Sequence, residues 1–301
     1  MAWTGSRPVP PQPRRYWNRI PPHVRQRVVD LALAVPERTP RELAWQFTDR
    51  EGHFLSESSV YRILKAFDLI ASPAFVVLAA GKTFSHPTHR PNELWQTDFT
   101  YLHVVGWGWY YLSTVLDDYS RYILAWTLRP SMHATDVMET LDLARAATGV
   151  DRVPVAHRPR LLSDNGPCYI SGELATYLET YGLSHTRGAP YHPMTQGKIE
   201  RYHRSMKNVV KLEHYYTPWA VERAVAHFVE DYNHRRYHEA LQNVTPADVF
   251  YGRQAGILAR RERIKQRTLQ RRKRENLHTP HHAAIRSEVS LSNHGQVSSL
   301  V

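Results

Sequence analysis

Residues 94–129, LWQTDFTYLHVVGWGWYYLSTVLDDYSRYILAWTLR, decide the fold class. Three segments in this stretch, LWQTDFTYLHV, WGWYYLSTVLD and RYILAWTLR, are rich in β-branched and aromatic residues and read as strands. Gly106 with Gly108 makes the first joint and Asp117-Asp118-Tyr119-Ser120 the second, both short enough for antiparallel hairpins. A three-stranded meander results. Downstream, residues 133–148 have the spacing of an amphipathic helix, and PRLLSDNG that of a short buried strand ending in a polar turn. Residues 171–181 follow as a helix stopped by Gly182, then a brief strand at 184–187, a long helix from 195 to about 214, and another at 218–236.

Three antiparallel strands, a helix, a strand, a helix, a strand and two helices is the element order of a ribonuclease-H-like α/β core. We assign that core to residues 93–252, preceded by a basic, Pro-rich arm (1–20), a helical module (21–70) and a linker (71–92). Within the module, Val24, Val28, Leu31 and Leu33 lie near one helix face, and Thr39 with Pro40 has the form of an N-cap and first helical position. Ser56 to Ser59 opens a third helix, over 58–70. Its Val60, Ile63, Leu64 and Phe67 recur at helical spacing, while Arg62 and Lys65 point elsewhere. This is the pattern of a helix-turn-helix-like module with Arg62 and Lys65 toward DNA; the plainer alternative is a three-helix bundle with a solvated basic face. Residues 253–301 form a basic C-terminal tail. Its first part, 253–275, holds ten Arg or Lys against two Glu in a pattern that could be helical, with Ile257, Ile264 and Leu269 too sparse to build a core. It is expected to contact phosphates nonspecifically, the competing view being a helix used for multimer contacts, and the chain after Asn276 reads as disordered.

Composition narrows the partner. No apolar run is long enough to span a bilayer, and the N-terminus lacks a secretory signal. Cys168 is the only cysteine, which excludes internal disulfides and multi-thiolate zinc sites within one chain and fits a reducing cytoplasm. Lys plus Arg exceed Asp plus Glu by 39 to 28, a formal charge of +11, and such a surplus favours a polyanion such as double-stranded DNA.

Phosphodiester chemistry on two divalent ions needs oxygen ligands, and three carboxylates stand where such ligands would be useful. Asp98 lies inside the first strand, where an ionised group is costly unless paired or metal-bound. Asp164 ends the strand RLLS before Asn165-Gly166-Pro167, and carboxyl ends of strands are where open α/β sheets place their sites. Glu200 sits one turn into the helix opening at Thr195-Gln196-Gly197. Singly, each has a dull reading as an edge charge, a turn former or a solvated helix residue. Helical arithmetic adds to the third: Gln196, Glu200, Arg204 and Lys207 fall at i, i+4, i+8 and i+11 on one face, beside an apolar stripe of Ile199, Tyr202, Met206 and Val209.

Between Asp164 and Glu200 lie 35 residues, flanked by SDNGPCYIS and PYHPMTQGKIERYHRSMK. With VLDDYSRYILAW and DYNHRRYHEALQNVTPADVF, this resembles the catalytic core of retroviral integrases and of transposases of the insertion-sequence-three group, from about residue 92 to 253. The resemblance implies that Asp98, Asp164 and Glu200 are metal ligands, that Tyr191 and Gln196 belong to the active-site loop, and that Arg204 and Lys207 touch DNA. It implies two Mg²⁺ ions per site, with Mn²⁺ able to substitute, and in-line strand cleavage and strand transfer at mobile-element ends without a covalent enzyme intermediate. A homo-multimer holding both ends, a partner DNA-binding protein encoded upstream in the same element, and a place in the bacterial cytoplasm at the nucleoid belong to the same expectation. Residues 21–70 stand where retroviral integrases carry a His/Cys zinc module.

Asp117 and Asp118 fall in a hairpin turn that favours Asp for backbone reasons, and His185, His192 and His203 suit phosphate or base contact better than Mg²⁺. The rival readings are a nuclease or Holliday-junction resolvase on the same fold, and a catalytically silent, transposase-derived DNA-binding regulator.

Overall fold

The structure, a computed structural model, describes residues 16–70, 88–188, 197–211 and 214–278. It divides into two compact units, 75–257 and a second that joins 1–74 to 258–301.

The larger unit is built on a five-stranded sheet in the order β3-β2-β1-β4-β5. Strands β1 (Leu94–Val104), β2 (Gly108–Asp117) and β3 (Ile123–Arg129) form the antiparallel meander, and β4 (Arg160–Ser163) and β5 (His185–Arg187) add to it in parallel. Positive φ at Gly106 and Gly108 turns the first hairpin, a conformation that costs glycine little. Helices α4 (Ala134–Thr148) and α5 (Gly172–Thr180) cover one face, burying Val137, Leu141, Leu174 and Leu178 with Trp95, Val115 and Leu161. The other face packs Leu102, Val104 and Leu112 against α6 (Gly197–Val210) and α7 (Pro218–His234) through Ile199, Tyr202, Met206, Val221 and Val225. The short α8 (Pro246–Phe250) opens on a Thr245 capping box. A mixed sheet of this order fits the ribonuclease-H-like core expected.

The stripe on α6 is displaced by one residue from the sequence reading. Val209 is 50% exposed, and Val210 is buried in its place, because 199, 202, 203, 206 and 210 keep the 3.6-residue repeat that faces the sheet.

In the second unit, α1 (Pro22–Ala34), α2 (Pro40–Glu51) and α3 (Glu57–Ala66) bury Val24, Val28, Leu43, Phe47, Val60, Ile63 and Leu64 together. Thr39 and Glu42 form the expected capping box, and Ser56 caps α3. Helix α3 stops at Ala66, short of residue 70, where Asp68 takes a positive φ and Leu69 N–H donates back to the Leu64 carbonyl at 2.9 Å. Phe67 therefore falls off the buried face, and in α1 Val29 takes the buried place expected of Leu33, which is 62% exposed.

The basic segment differs most from expectation. It forms one helix, α9 (Gln254–His278), and from residue 258 it belongs to the same compact unit as α1–α3. Too few apolar residues did not prevent packing, because polar groups supply the contacts. Arg261 grips Asp49 with two hydrogen bonds, at 3.0 and 2.6 Å, beneath the Trp45 ring. Thr268 accepts from Phe54 N–H, and Arg272 donates to Asn18, to the Phe54 carbonyl and to a ring nitrogen of His53. The expected disordered tail lies, from residue 279 on, outside the described residues, as do most of the arm and of the linker. Among the described residues no helix is long and apolar enough to cross a membrane.

Candidate active site

Strand β1 pairs with β2 along nearly its whole length, but β4 pairs with it only from Leu94 to Gln96. Past that point, among the described residues, no strand continues on that side. There a cleft of about 660 Å³ opens, lined by Asp98, Phe99, Thr100 and Tyr101 on one side and by Glu200, His203, Arg204 and Lys207 on the other, with Asn208 and Lys211. Four consecutive strand residues line it, so it runs along the edge of β1 rather than over one face.

Asp98 faces α6. Its Oδ2 lies 3.4 Å from Nδ1 of His203, whose Nε2 lies 3.4 Å from the Thr114 hydroxyl. His203 is buried at the base of the same cleft, where it meets the strand carboxylate. Glu200 is exposed, one turn into α6, at the cleft.

Asp164 does not line this cleft. Strand register nevertheless brings it close to Asp98: Gln96 pairs with Leu162, and each Asp lies two residues further on its own chain, at the carboxyl end of the parallel pair. Both carboxylates act on the same buried residues, Cys168 and Tyr169. Burial, then Asp164, pushes the Cys168 thiol up to about 11, which makes it an inert core residue rather than a nucleophile. The Asp164 carboxylate accepts from Gly166 N–H at 2.9 Å, and a Cβ on Gly166 would sit 3.1 Å from that same oxygen, so glycine leaves the acid its position.

Sequence reasoning missed the residues that fasten α6 to the sheet. Asp118, set aside as a turn former, is buried and accepts from Gln96 Nε2 at 2.7 Å, Lys198 Nζ at 2.6 Å and Thr88 Oγ1 at 2.6 Å. Gln96 in turn accepts from Ile199 N–H, and Arg121 donates to the Asp118 carbonyl. Gln96 stands two residues before Asp98, and Lys198 two before Glu200. One buried carboxylate thereby ties together the backbones that carry two of the expected ligands. The only sequence signal was this shared i−2 spacing. Asp117 does behave as a turn former, accepting from Ser120 and Asn92 backbone N–H, and burial raises its carboxyl above the usual range.

Of the residues singled out from sequence, Asp98, Glu200, Arg204 and Lys207 therefore meet at one cleft, with Asp164 beside it. Partial burial and the neighbouring Lys211 lower the Lys207 ammonium from its ordinary value, as expected of cations crowded on one wall. Arg62 and Lys65 are exposed on α3, in the other unit. Tyr191, Gln196 and His192 lie outside the described residues. His185 donates to or accepts from Ser163 Oγ at 2.8 Å, and burial lowers its imidazole, which makes it a sheet residue. As to metal, three carboxylates are the right donors for a hard divalent cation. Among the described residues, however, no three His, Cys, Asp or Glu side chains group closely enough to hold one, and only the donor chemistry fits.

Two family models, both described as Integrase core domain, match residues 88–193 and 181–246. A Gag-Pro-Pol polyprotein of mouse mammary tumor virus is 30% identical over 149 residues, 48% of this chain and 8% of that protein. Transposase InsF for insertion sequence IS3A of Escherichia coli is 27% identical over 158 residues, 52% of this chain and 53% of InsF. The chain thus spans about half the length of that transposase and a small part of the polyprotein. Among solved structures, the HTLV-2 integrase catalytic core domain in complex with magnesium aligns with a TM-score of 0.43 and 19% identity, covering 54% of this chain and 97% of that one.

Proposed function

We propose that this chain, which carries an integrase core domain across residues 88–246, is a DNA transposase that cleaves mobile-element ends and joins them to target DNA. The observation that carries the reading is the cleft along β1, where Asp98 and Glu200 share a wall-to-wall space with Arg204, Lys207 and Lys211. Phosphoryl transfer asks a protein for positioning and charge more than for covalent chemistry, and this arrangement offers both.

Asp98, Asp164 and Glu200 would hold Mg²⁺ or Mn²⁺, two ions per site, which when bound supply an activated hydroxyl and neutralise charge at the scissile phosphate. The chain's own groups do the rest. Arg204, Lys207 and Lys211 take backbone phosphates on either side of the reacting one, which fixes the strand along the cleft. His203 keeps Asp98 turned toward α6, and the Gln96–Asp118–Lys198 contacts keep Glu200 in register with it. Tyr191 and Gln196, which precede α6 in the chain, would contact the DNA. Helix α3 would read the element ends in the major groove with Arg62 and Lys65, and a multimer would bring the two ends together.

The test is incubation of purified protein with labelled duplexes made from the DNA flanking its reading frame, with Mg²⁺ and then Mn²⁺. The expected products are 3′-end nicks and, with added target DNA, joined strands. Cleavage without joining would make it a nuclease or resolvase. Binding with neither would make it a regulator. Either result overturns the proposal.

A further inference from the structure

The distal half of the β1–β2 hairpin breaks the usual pattern of an antiparallel sheet, in which the uncovered face is polar. Its covered face carries Leu102, Val104 and Leu112. The opposite face carries Tyr101, His103 and Trp109, with His103 and Trp109 directly paired across the strands. Tyr101 and Trp109 are 53% and 52% exposed. They are not scattered. The Trp109 ring meets Tyr101 edge-on, with centroids 5.4 Å apart at 80°, and His103 at 5.0 Å. Contiguous exposed aromatic surface marks a binding face more often than isolated apolar residues do.

Tyr101 belongs to this face and to the cleft at once, since it also lines the space holding Asp98 and Glu200. Lys207 Nζ lies 4.3 Å from the centroid of its ring, so a phosphate-binding cation and a stacking surface adjoin. We infer that Tyr101, His103 and Trp109 form a ledge that stacks unpaired nucleotides of the DNA strand whose backbone runs past Arg204, Lys207 and Lys211. The inference rests on the reading of the cleft as a DNA-processing site and adds the form of DNA that site holds.

The chemistry selects this occupant. Bases in a duplex are stacked on one another and present only their edges, so aromatic faces gain little from intact double helix. Unpaired bases offer π-faces, and stacking one on an aromatic side chain adds affinity whatever the base. A protein partner would favour an apolar patch with a mixed polar rim, whereas Tyr101 here adjoins Lys207 and opens on the cleft that also holds Arg204 and Lys211, cations that match a phosphate backbone.

The experiment uses the full chain in EDTA, so that it reads binding without cleavage. Affinities are measured for a fluorescein-labelled oligothymidylate of fifteen nucleotides and for a labelled random-sequence duplex of equal length. For Trp109→Ala and Tyr101→Ala the single-strand affinity is expected to fall at least fivefold, with duplex affinity changed less than twofold; Trp109→Phe should retain most of the single-strand affinity. Arg204→Ala should weaken both. Equal losses on both DNAs, or no loss on the single strand, would overturn the ledge. So would dissociation of a multimer by Trp109→Ala in sedimentation, which would assign the face to a second copy of the chain. If the unaltered chain binds neither DNA, the DNA-processing reading itself fails. If it binds both DNAs here, and cuts duplex ends in the separate Mg²⁺ assay, while the ledge variants match it on single strands, only the ledge fails.

Discussion

Two helices of this chain are rich in cations, and they use them in opposite ways. Helix α6 carries Arg204, Lys207 and, just past its end, Lys211 to the wall of a cleft. Helix α9 turns Arg261 and Arg272 into its own unit, where both are buried. What differs is the acceptors within reach. The α9 unit supplies Asp49, Asn18, the Phe54 carbonyl and a ring nitrogen of His53, so both guanidinium groups find acceptors internally, although Nε of Arg272 is buried without one. At the cleft the carboxylates are the expected metal ligands, which leaves the cations suited to an outside anion. A count of basic residues cannot separate the two cases. The +11 of the whole chain therefore overstates what is available to DNA.

The largest expected effect breaks the comparison on the cleft side. Asp98→Asn, Asp164→Asn and Glu200→Gln should each lower cleavage and strand transfer by at least about 10³-fold, the scale on which loss of one member of a catalytic constellation acts. Each change removes a charge at nearly constant shape, so thermal unfolding and DNA binding should stay close to those of the unaltered protein. Near-normal Mg²⁺-dependent activity in any of the three would remove that residue from the site.

The next effect falls on the other helix. Arg261→Ala removes the bidentate partner of the largely buried Asp49 and leaves it the longer Arg260 contact at 3.4 Å, so the α9 unit should be destabilised by about 2 kcal/mol. Arg261→Lys keeps the charge but not the fork, and should fall between. Thermal or urea unfolding followed by far-ultraviolet dichroism checks both. If Arg261→Ala unfolds like the unaltered chain but binds DNA less tightly, then α9 is a phosphate-binding helix after all. Conversely, Arg204→Ala should leave unfolding unchanged, weaken duplex binding roughly tenfold, and reduce the slope of log K against log salt by about 0.9.

Much of this contrast was hidden in the sequence for a physical reason. Elements whose pattern is local were legible. The meander, the helix of Glu200 and the caps at Thr39 and Ser56 follow from spacing within a few residues. One-residue slips such as Val209 for Val210 arise because a stripe read over two turns leaves the facing angle loose. What could not be read depends on distant partners. Asp118 looks like any turn aspartate until Lys198, 80 residues on, closes over it. Arg272 looks like a solvated tail residue until His53, 219 residues earlier in the chain, meets it. The carboxylates were legible individually, and their mutual spacing made them a set. The cleft itself exists because β4 stops early, which no local pattern announces.

The smallest effect sharpens the comparison through acid. His53 is buried between two guanidinium groups, with Arg271 at 2.6 Å from Nδ1 and Arg272 at 2.7 Å from Nε2. A neutral imidazole has one ring nitrogen that accepts and one that donates, and guanidinium only donates, so at most one of these contacts is a good hydrogen bond. Protonation would remove even that one and set a third cation between two others. Arg27, also nearby, adds positive charge. Burial, then Arg272 and Arg271, accordingly lower the imidazole to about 4 from an ordinary 6.5. Between those values the unfolded chain binds a proton that the folded unit refuses. The stability contributed is therefore complete above pH 6.5 and is lost as the pH falls toward 4. Allowing for solvent screening, the loss should be about 1 kcal/mol. His53→Gln keeps a hydrogen-bond acceptor without a titrating ring, and its unfolding midpoint should change less between pH 7 and pH 4.5 than that of the unaltered protein. An identical pH dependence of unfolding in both proteins would mean that His53 is not what makes the α9 unit acid-sensitive.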